Sequence, residues 1–370
     1  MIKKIGIISG ILCAIFFLWY FKIQLIDLFL KSEKIVIKND SPREVLVDKA
    51  EKEKLLIEDI IARGEIKMAF RKEANKIIYY NQNNFLETDL NGSYKNNLGS
   101  YPFNDFKTAQ FSKTGSFCLV RAGDDFNVYN LEKKQNIKLE KKIKQVRFNS
   151  LGDGLIYLFS ENGFFELNIS DLEGKNWRLV RKIKRENLDL AVNPQEDLVA
   201  YFSRQANKEQ SGIFLTNLID QKANNKIVEK DIIDVLWSPD GDKILFSFYD
   251  HSVASKRVQL GYYDLLQKKQ FELGVPSVAQ KCVWSEEADF LYCAVLTSEV
   301  LKEFKLEDWY SDKFVSRDIF WKIDLNENKK EKIFTDLEKY PPVDAFNLIL
   351  TKEKLVFIDK ISGSLIKRPL

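Results

Sequence analysis

Histidine is almost missing: the 370 residues contain one, His251. That excludes a multi-histidine metal centre and argues against histidine-based acid–base catalysis. Cysteine is scarce, with four residues and no Cys-x-x-Cys pair, which excludes a zinc ribbon. Charge of one sign is lacking too. A formal net charge of +3 is too small to imply nucleic-acid binding by itself. No Gly-x-Ser-x-Gly is present, so the serine-hydrolase elbow is absent. The carboxylates, 54 in all, offer too many pairs to rank as catalytic. No cofactor or metal is expected.

Long apolar runs are also scarce, with one exception. Ile5 to Phe21 carries no charge, follows Lys3-Lys4, and has Trp19 and Tyr20 at its far end. Seventeen residues is the lower limit for a spanning helix, and interfacial aromatics suit a bilayer boundary. A cleaved signal peptide lacks its small-x-small site, and Leu12 before Cys13 argues against lipidation. The reading is one N-terminal transmembrane helix within residues 1–30, with the bulk of the chain on the extracytoplasmic side of the cell membrane.

Residues 31–64 form a charged linker. Ala50 to Ile61 has helix formers and a Leu/Ile stripe, so a short helix is expected there. Ile35-Val36-Ile37 favours β, so Lys34 to Lys38 is expected to be a strand.

From residue 65 onward the chain repeats. Trp237 to Asp250 reads WSPDGDKILFSFYD, two apolar strands around an Asp-Gly turn. Weaker copies are anchored at Phe70, Phe111, Phe148, Val192 and Trp284, spaced 41, 37, 44, 45 and 47 residues with Trp237 in order. Leu350 heads a degraded seventh. After each of the first six strand pairs an Asp or Asn, then Leu or Ile, closes a third strand: Asp89-Leu90, Asn130-Leu131, Asn168-Ile169, Asn217-Leu218, Asp264-Leu265 and Asp324-Leu325. A fourth strand follows. Four strands per repeat of this length define an all-β propeller, here of seven four-stranded blades over residues 65–370. The last repeat has room for only three strands, near Ala345–Leu350, Lys354–Asp359 and Ser364–Lys367. Because a ring must hide its edges, Lys34 to Lys38 is expected to supply the missing outer strand.

WSPDG, KILF and the later Tyr263-Asp264-Leu265 resemble the WD-like repeat of TolB-type propellers and of prolyl-oligopeptidase relatives. That resemblance implies a fold and a binding platform. It brings no catalytic residues, and the peptidases' separate hydrolase domain has no counterpart here.

Distances from anchor to the Asp/Asn-Leu mark are 20, 20, 21, 26, 28 and 41 residues. The growth lies between the second and third strands: Arg204 to Gly212, Asp250 to Arg257 and Thr297 to Asp318. Long loops on a rigid scaffold are where binding concentrates. The longest carries Phe304, Trp309, Tyr310 and Phe314, the candidate partner-binding residues, against the alternative that it folds down as a cap. A non-catalytic scaffold for a protein or cell-envelope partner is the first expectation, and a hydrolase or accessory domain using the channel is the alternative. No nucleic-acid partner is expected.

Other features read as structural. The basic run Arg178, Arg181, Lys182, Lys184, Arg185 fits a lysine- and arginine-protected edge. Asp153, Asp240 and Asp242 fit turn chemistry better than calcium loops. Cys282 and Cys293 fall opposite each other on paired strands; a disulfide and two buried thiols both fit.

Overall fold

A computed structural model describes residues 59–370, apart from 186, 205–210, 221–223, 251–256, 299–303, 306–307, 310, 312 and 337–338. These residues form seven antiparallel four-stranded sheets. Each sheet is one blade, with its strands in chain order from inside to outside, except the seventh. Blade five is representative, with strands Asp231–Trp237, Lys243–Asp250, Arg257–Asp264 and Lys269–Glu272. The expected repeat frame holds in six blades, where Phe111, Phe148, Val192, Trp237, Trp284 and Leu350 each end the innermost strand; in blade one that strand runs past Phe70 to Glu73.

Seven buried apolar clusters each straddle two neighbouring blades, and the series closes from blade seven to blade one. The second strands explain how. In Lys243–Asp250, Ile244 and Phe246 pack toward blade four while Leu245 packs toward blade six. A strand buried on both faces needs a continuous apolar run, and KILF is one. Trp237 bridges blades as well, donating its indole N–H to the Ala191 carbonyl at 3.0 Å.

The turns account for the repeat marks. Asn217 Oδ1 accepts the N–H groups of Ile219 and Asp220, and Asp324 Oδ1 those of Asn326 and Glu327. The following leucine turns inward, as Leu90, Leu131 and Leu218 do. One mark went unread in the sequence: the residue after the anchor is Ser112, Asn149, Asn193, Ser238, Ser285 or Thr351. Each accepts turn N–H groups through its side chain, for example Ser238 from Lys243 and Asn149 from Gly152. Gly241 sits at φ 79°, and a Cβ there would meet Asn193 Oδ1 at 2.5 Å.

Ring closure departs from the expectation. The outer strand of blade seven is Ile60–Ala62, paired antiparallel to Ser364–Pro369 with Ile60 opposite Ile366. Lys34 to Lys38 lies outside the described residues, and the place assigned to it is taken. Ile60 and Ile61 are strand rather than the end of a helix from Ala50. Pairing with an open sheet edge overrides the helix-forming neighbours. Three residues then lead to the innermost strand of blade one, Ile66–Glu73. Blade one binds blade seven directly: the Ala69 N–H donates to Asn347 Oδ1 and Arg71 Nη1 to the Leu350 carbonyl, both at 2.6 Å.

Cys282 and Cys293 stand opposite each other on the first two strands of blade six and are joined as a disulfide. Cys118 is a buried free thiol, pushed well up by burial. No helix among the described residues is long and apolar enough to cross a membrane. The expected anchor, Ile5 to Phe21, lies outside them.

Candidate functional site

Antiparallel strands send alternate connections to opposite ends of a blade. Turns joining strands one to two and three to four share one end, here the base face. Links from strand two to three and from blade to blade share the other, the loop face. The three lengthened connections of blades four, five and six all belong to the loop face.

The blade-six insert folds down onto that face. Phe304 is 6% exposed and Trp309 2%, and both pack with Ile233, Val258, Val278 and Leu296. Phe314 is half-buried and meets Phe304 edge-on at 5.6 Å. Tyr310 lies outside the described residues. Three of the four candidate aromatics therefore sit together, as a plug across blades five to seven. Among the described residues of the insert, Ser298, Lys305, Ser311 and Lys313 are exposed.

Beneath the plug lies a buried ion network. Lys281 ends a short 3-10 turn (Ala279–Lys281) leading into blade six. Its Nζ donates to Asp318 Oδ2 at 2.6 Å, to Asp344 Oδ1 and Ser316 Oγ at 2.8 Å, and to the Ala345 carbonyl at 3.0 Å. Trp309 is tied to it: its indole N–H donates to Asp344 Oδ1 at 2.8 Å, and the Nζ atoms of Lys281 and Lys360 approach its ring at 4.6 and 4.7 Å. Lys360 Nζ also donates to the Trp309 carbonyl.

The two carboxylates differ. Burial pushes both up. Around Asp344, however, Lys281, Lys360 and the donated Trp309 hydrogen bond prevail and hold it below the usual range. Asp318 is pushed up to about 6 by burial, against the pull of Lys281. Its Oδ1 is buried without a partner. Asp344 is thus held the more acidic of the two, and Asp318 the less acidic. For Lys281 burial favours the neutral amine, but Asp318 and Asp344 outweigh it and its pKa rises.

A second network lies two blades back. Asp189 accepts from Arg147 Nη2 at 2.9 Å and Arg204 Nη2 at 2.7 Å, with Asp234 3.9 Å from the same Arg204 nitrogen. Asp189 is buried, which raises a carboxyl, yet Arg147 and Arg204 bring it below the usual range. Asp234 is pushed up to about 6 by burial, with Oδ2 unpartnered. Asp189, Asp234 and Lys281 each stand three residues before their anchor, in successive blades. None was singled out from the sequence, because the repeat was read through its apolar frame.

The remaining candidates read as structure. Arg181 bonds Thr216 and Arg185 lies over the Phe214 ring at 3.9 Å, both in blade four, while Lys182 pairs with Glu166 within blade three, so the basic run ties blade three to blade four. Asp153 and Asp240 take part in their own turns. Among the described residues no cluster of three His, Cys, Asp or Glu could hold a metal. His251 lies outside them.

No protein-family model and no curated protein matches the chain. Solved structures do match. An oligogalacturonate lyase in complex with manganese aligns with TM-score 0.59 and 12% identity, over 83% of this chain and 90% of that one. Oligogalacturonate lyase from Vibrio parahaemolyticus gives 0.58 and 11%, over 84% and 91%. A β-propeller domain from Myceliophteria thermophila gives 0.56 and 8%, over 84% and 99%. At such identities the likeness is one of fold. The class of protein is a seven-bladed β-propeller, related in architecture to oligogalacturonate lyase and to WD40 propellers.

Proposed function

We propose that this protein is a membrane-anchored, non-catalytic propeller that presents its loop face to a protein or cell-envelope partner. The observation that carries the reading is the grouping of the three lengthened connections on one face, the longest held down by the Lys281–Asp344–Trp309 network. A rigid platform under variable loops is how propellers bind. The charge-free run Ile5 to Phe21 supports the anchor, and the Cys282–Cys293 disulfide supports an oxidising, extracytoplasmic side. The WSPDG repeat supports a TolB-type affinity.

The second reading, a hydrolase or accessory domain using the channel, draws on Asp234 and Asp318, two acids whose pKa lies near 6. Their side chains are only 5% and 0% exposed, so a substrate could reach neither without an opening of the fold. A scaffold needs no such opening.

Affinity capture with the full chain tests the proposal against two variants. One lacks Val300–Phe314; the other, Lys305→Glu/Lys313→Glu, alters exposed charges and leaves the plug in place. The expected outcome is a specific partner lost with both variants, at unchanged melting temperature for the second. Capture that survives both contradicts it.

A further inference from the structure

The base face carries a group of exposed apolar side chains. Seven large apolar residues are exposed among the described residues. Tyr94, Leu151, Trp177, Ile219 and Leu266 stand on base-face turns, and Leu370 follows the third strand of blade seven to the same side. Only Phe164 belongs to the loop face. Leu151, Trp177, Ile219 and Leu266 are the most exposed, at 67, 60, 73 and 75%, and come from successive blades three, four and five. Single exposed leucines are ordinary; four strongly exposed large apolar side chains on one face of three successive blades are not. The turns that carry them are well bonded: Asn217 accepts the Ile219 N–H, Asp264 accepts the N–H of Gln267 next to Leu266, and Arg178 Nη2 reaches the Leu218 carbonyl at 3.2 Å. The side chains are held out by structured turns.

The closing strand gives this face a direction. Ile60–Ala62 runs antiparallel to Ser364–Pro369, hence from the base face toward the loop face. The chain therefore reaches Ile60 from the base side, and a Cβ on Gly92, on a base-face turn of blade one, would lie 2.4 Å from the Ile61 carbonyl. The apolar run Ile5 to Phe21 precedes that entry point.

We propose that the base face rests on the lipid bilayer, with Trp177, Ile219 and Leu266 at the interface and the loop face turned outward. This rests on the reading of Ile5 to Phe21 as an anchor. Charges on the base turns are mixed in sign, as in Asp171, Glu173 and Lys175, so apolar insertion rather than attraction to anionic lipid holds the face down. Tethering makes a shallow interface sufficient, because a protein held at the surface meets lipid at high effective concentration. Tryptophan is the side chain best suited to the headgroup level.

The test uses the full chain, with Cys13→Ser, reconstituted into phosphatidylcholine vesicles. An environment-sensitive fluorophore is placed at Ile219→Cys, Leu266→Cys or, as control, Phe164→Cys, and doxyl-labelled lipid serves as quencher. The expected result is that the protein floats with vesicles, that Ile219→Cys and Leu266→Cys lose most of their emission, and that Phe164→Cys keeps its own. Flotation with unquenched base-face labels overturns the inference and leaves the anchor standing. Base-face labels that are blue-shifted but unquenched mean a second copy covers the face, which also overturns it. Quenching of all three labels means non-specific adsorption and does the same. Failure to float removes the anchor, and the inference with it.

Discussion

Lys281 and Asp344 illustrate how a buried charge is retained. Each would be costly alone; together, with Ser316 and Trp309 completing their hydrogen bonds, they form a geometry that tolerates burial. Asp318 is the surplus acid, and its stability effect has a definite sign. Its folded pKa of about 6 lies above the unfolded value near 3.8. Between those values the folded state holds a proton the unfolded state has released, so stability falls as pH rises, and the full cost stands above about pH 6. Asp318→Asn keeps an oxygen for Lys281 and removes the titration. Its melting temperature is expected to be flatter than the native protein's from pH 4 to 7, in a thermal scan at several pH values. An unchanged slope contradicts the protonation assigned to Asp318. The native acid limb should remain, because Asp189 and Asp344 are lowered and lose their contribution as pH falls through the acid range. None of this was visible in the sequence. Lysine and aspartate outnumber their buried examples there, and only register against the anchor separates Lys281 from its surface relatives.

Elements were far more legible. Hairpins were readable because Asp240-Gly241 and the apolar runs beside it satisfy turn and strand requirements at once. The strands of blade seven came out at Ala345–Leu350 and Lys354–Asp359, as their β-rich runs indicate. The closing strand did not, because three residues carry little local pattern and the partner edge is some 300 positions away in the chain. Blade six adds a covalent tie. The Cys282–Cys293 bond joins its first two strands across a sequence separation of 11 residues. In the chain-entropy account, a loop of that size is worth about 3 kcal/mol. Alkylation without reductant after unfolding should modify Cys13 and Cys118 and leave Cys282 and Cys293 unmodified, by mass. Cys282→Ala/Cys293→Ala should lower stability by about 3 kcal/mol in denaturant melts. Free Cys282 and Cys293 thiols, or an unchanged midpoint, contradict the tie.

At the scale of the whole molecule, one arrangement closes the fold: Ile60–Ala62, next to the first strand of blade one in the chain, completes blade seven and so locks the ring. The aromatic insert shows the limit of sequence reasoning. Phe304 and Trp309 were visible as anchors, but whether an aromatic faces a partner or its own core depends on what lies beneath it. Here that is Lys281 and Asp344, from distant parts of the chain. Closure by Ile60–Ala62 is the feature on which all else depends, since it sets the ring, the entry side and the orientation of both faces. Ile60→Cys/Ile366→Cys, in a Cys13→Ser background, tests it most directly, because the two residues are register partners. Mild oxidation is expected to form an intramolecular crosslink that shifts migration on a non-reducing gel and raises the melting temperature. Absence of that crosslink, with Cys282 and Cys293 still bonded, contradicts closure by this strand.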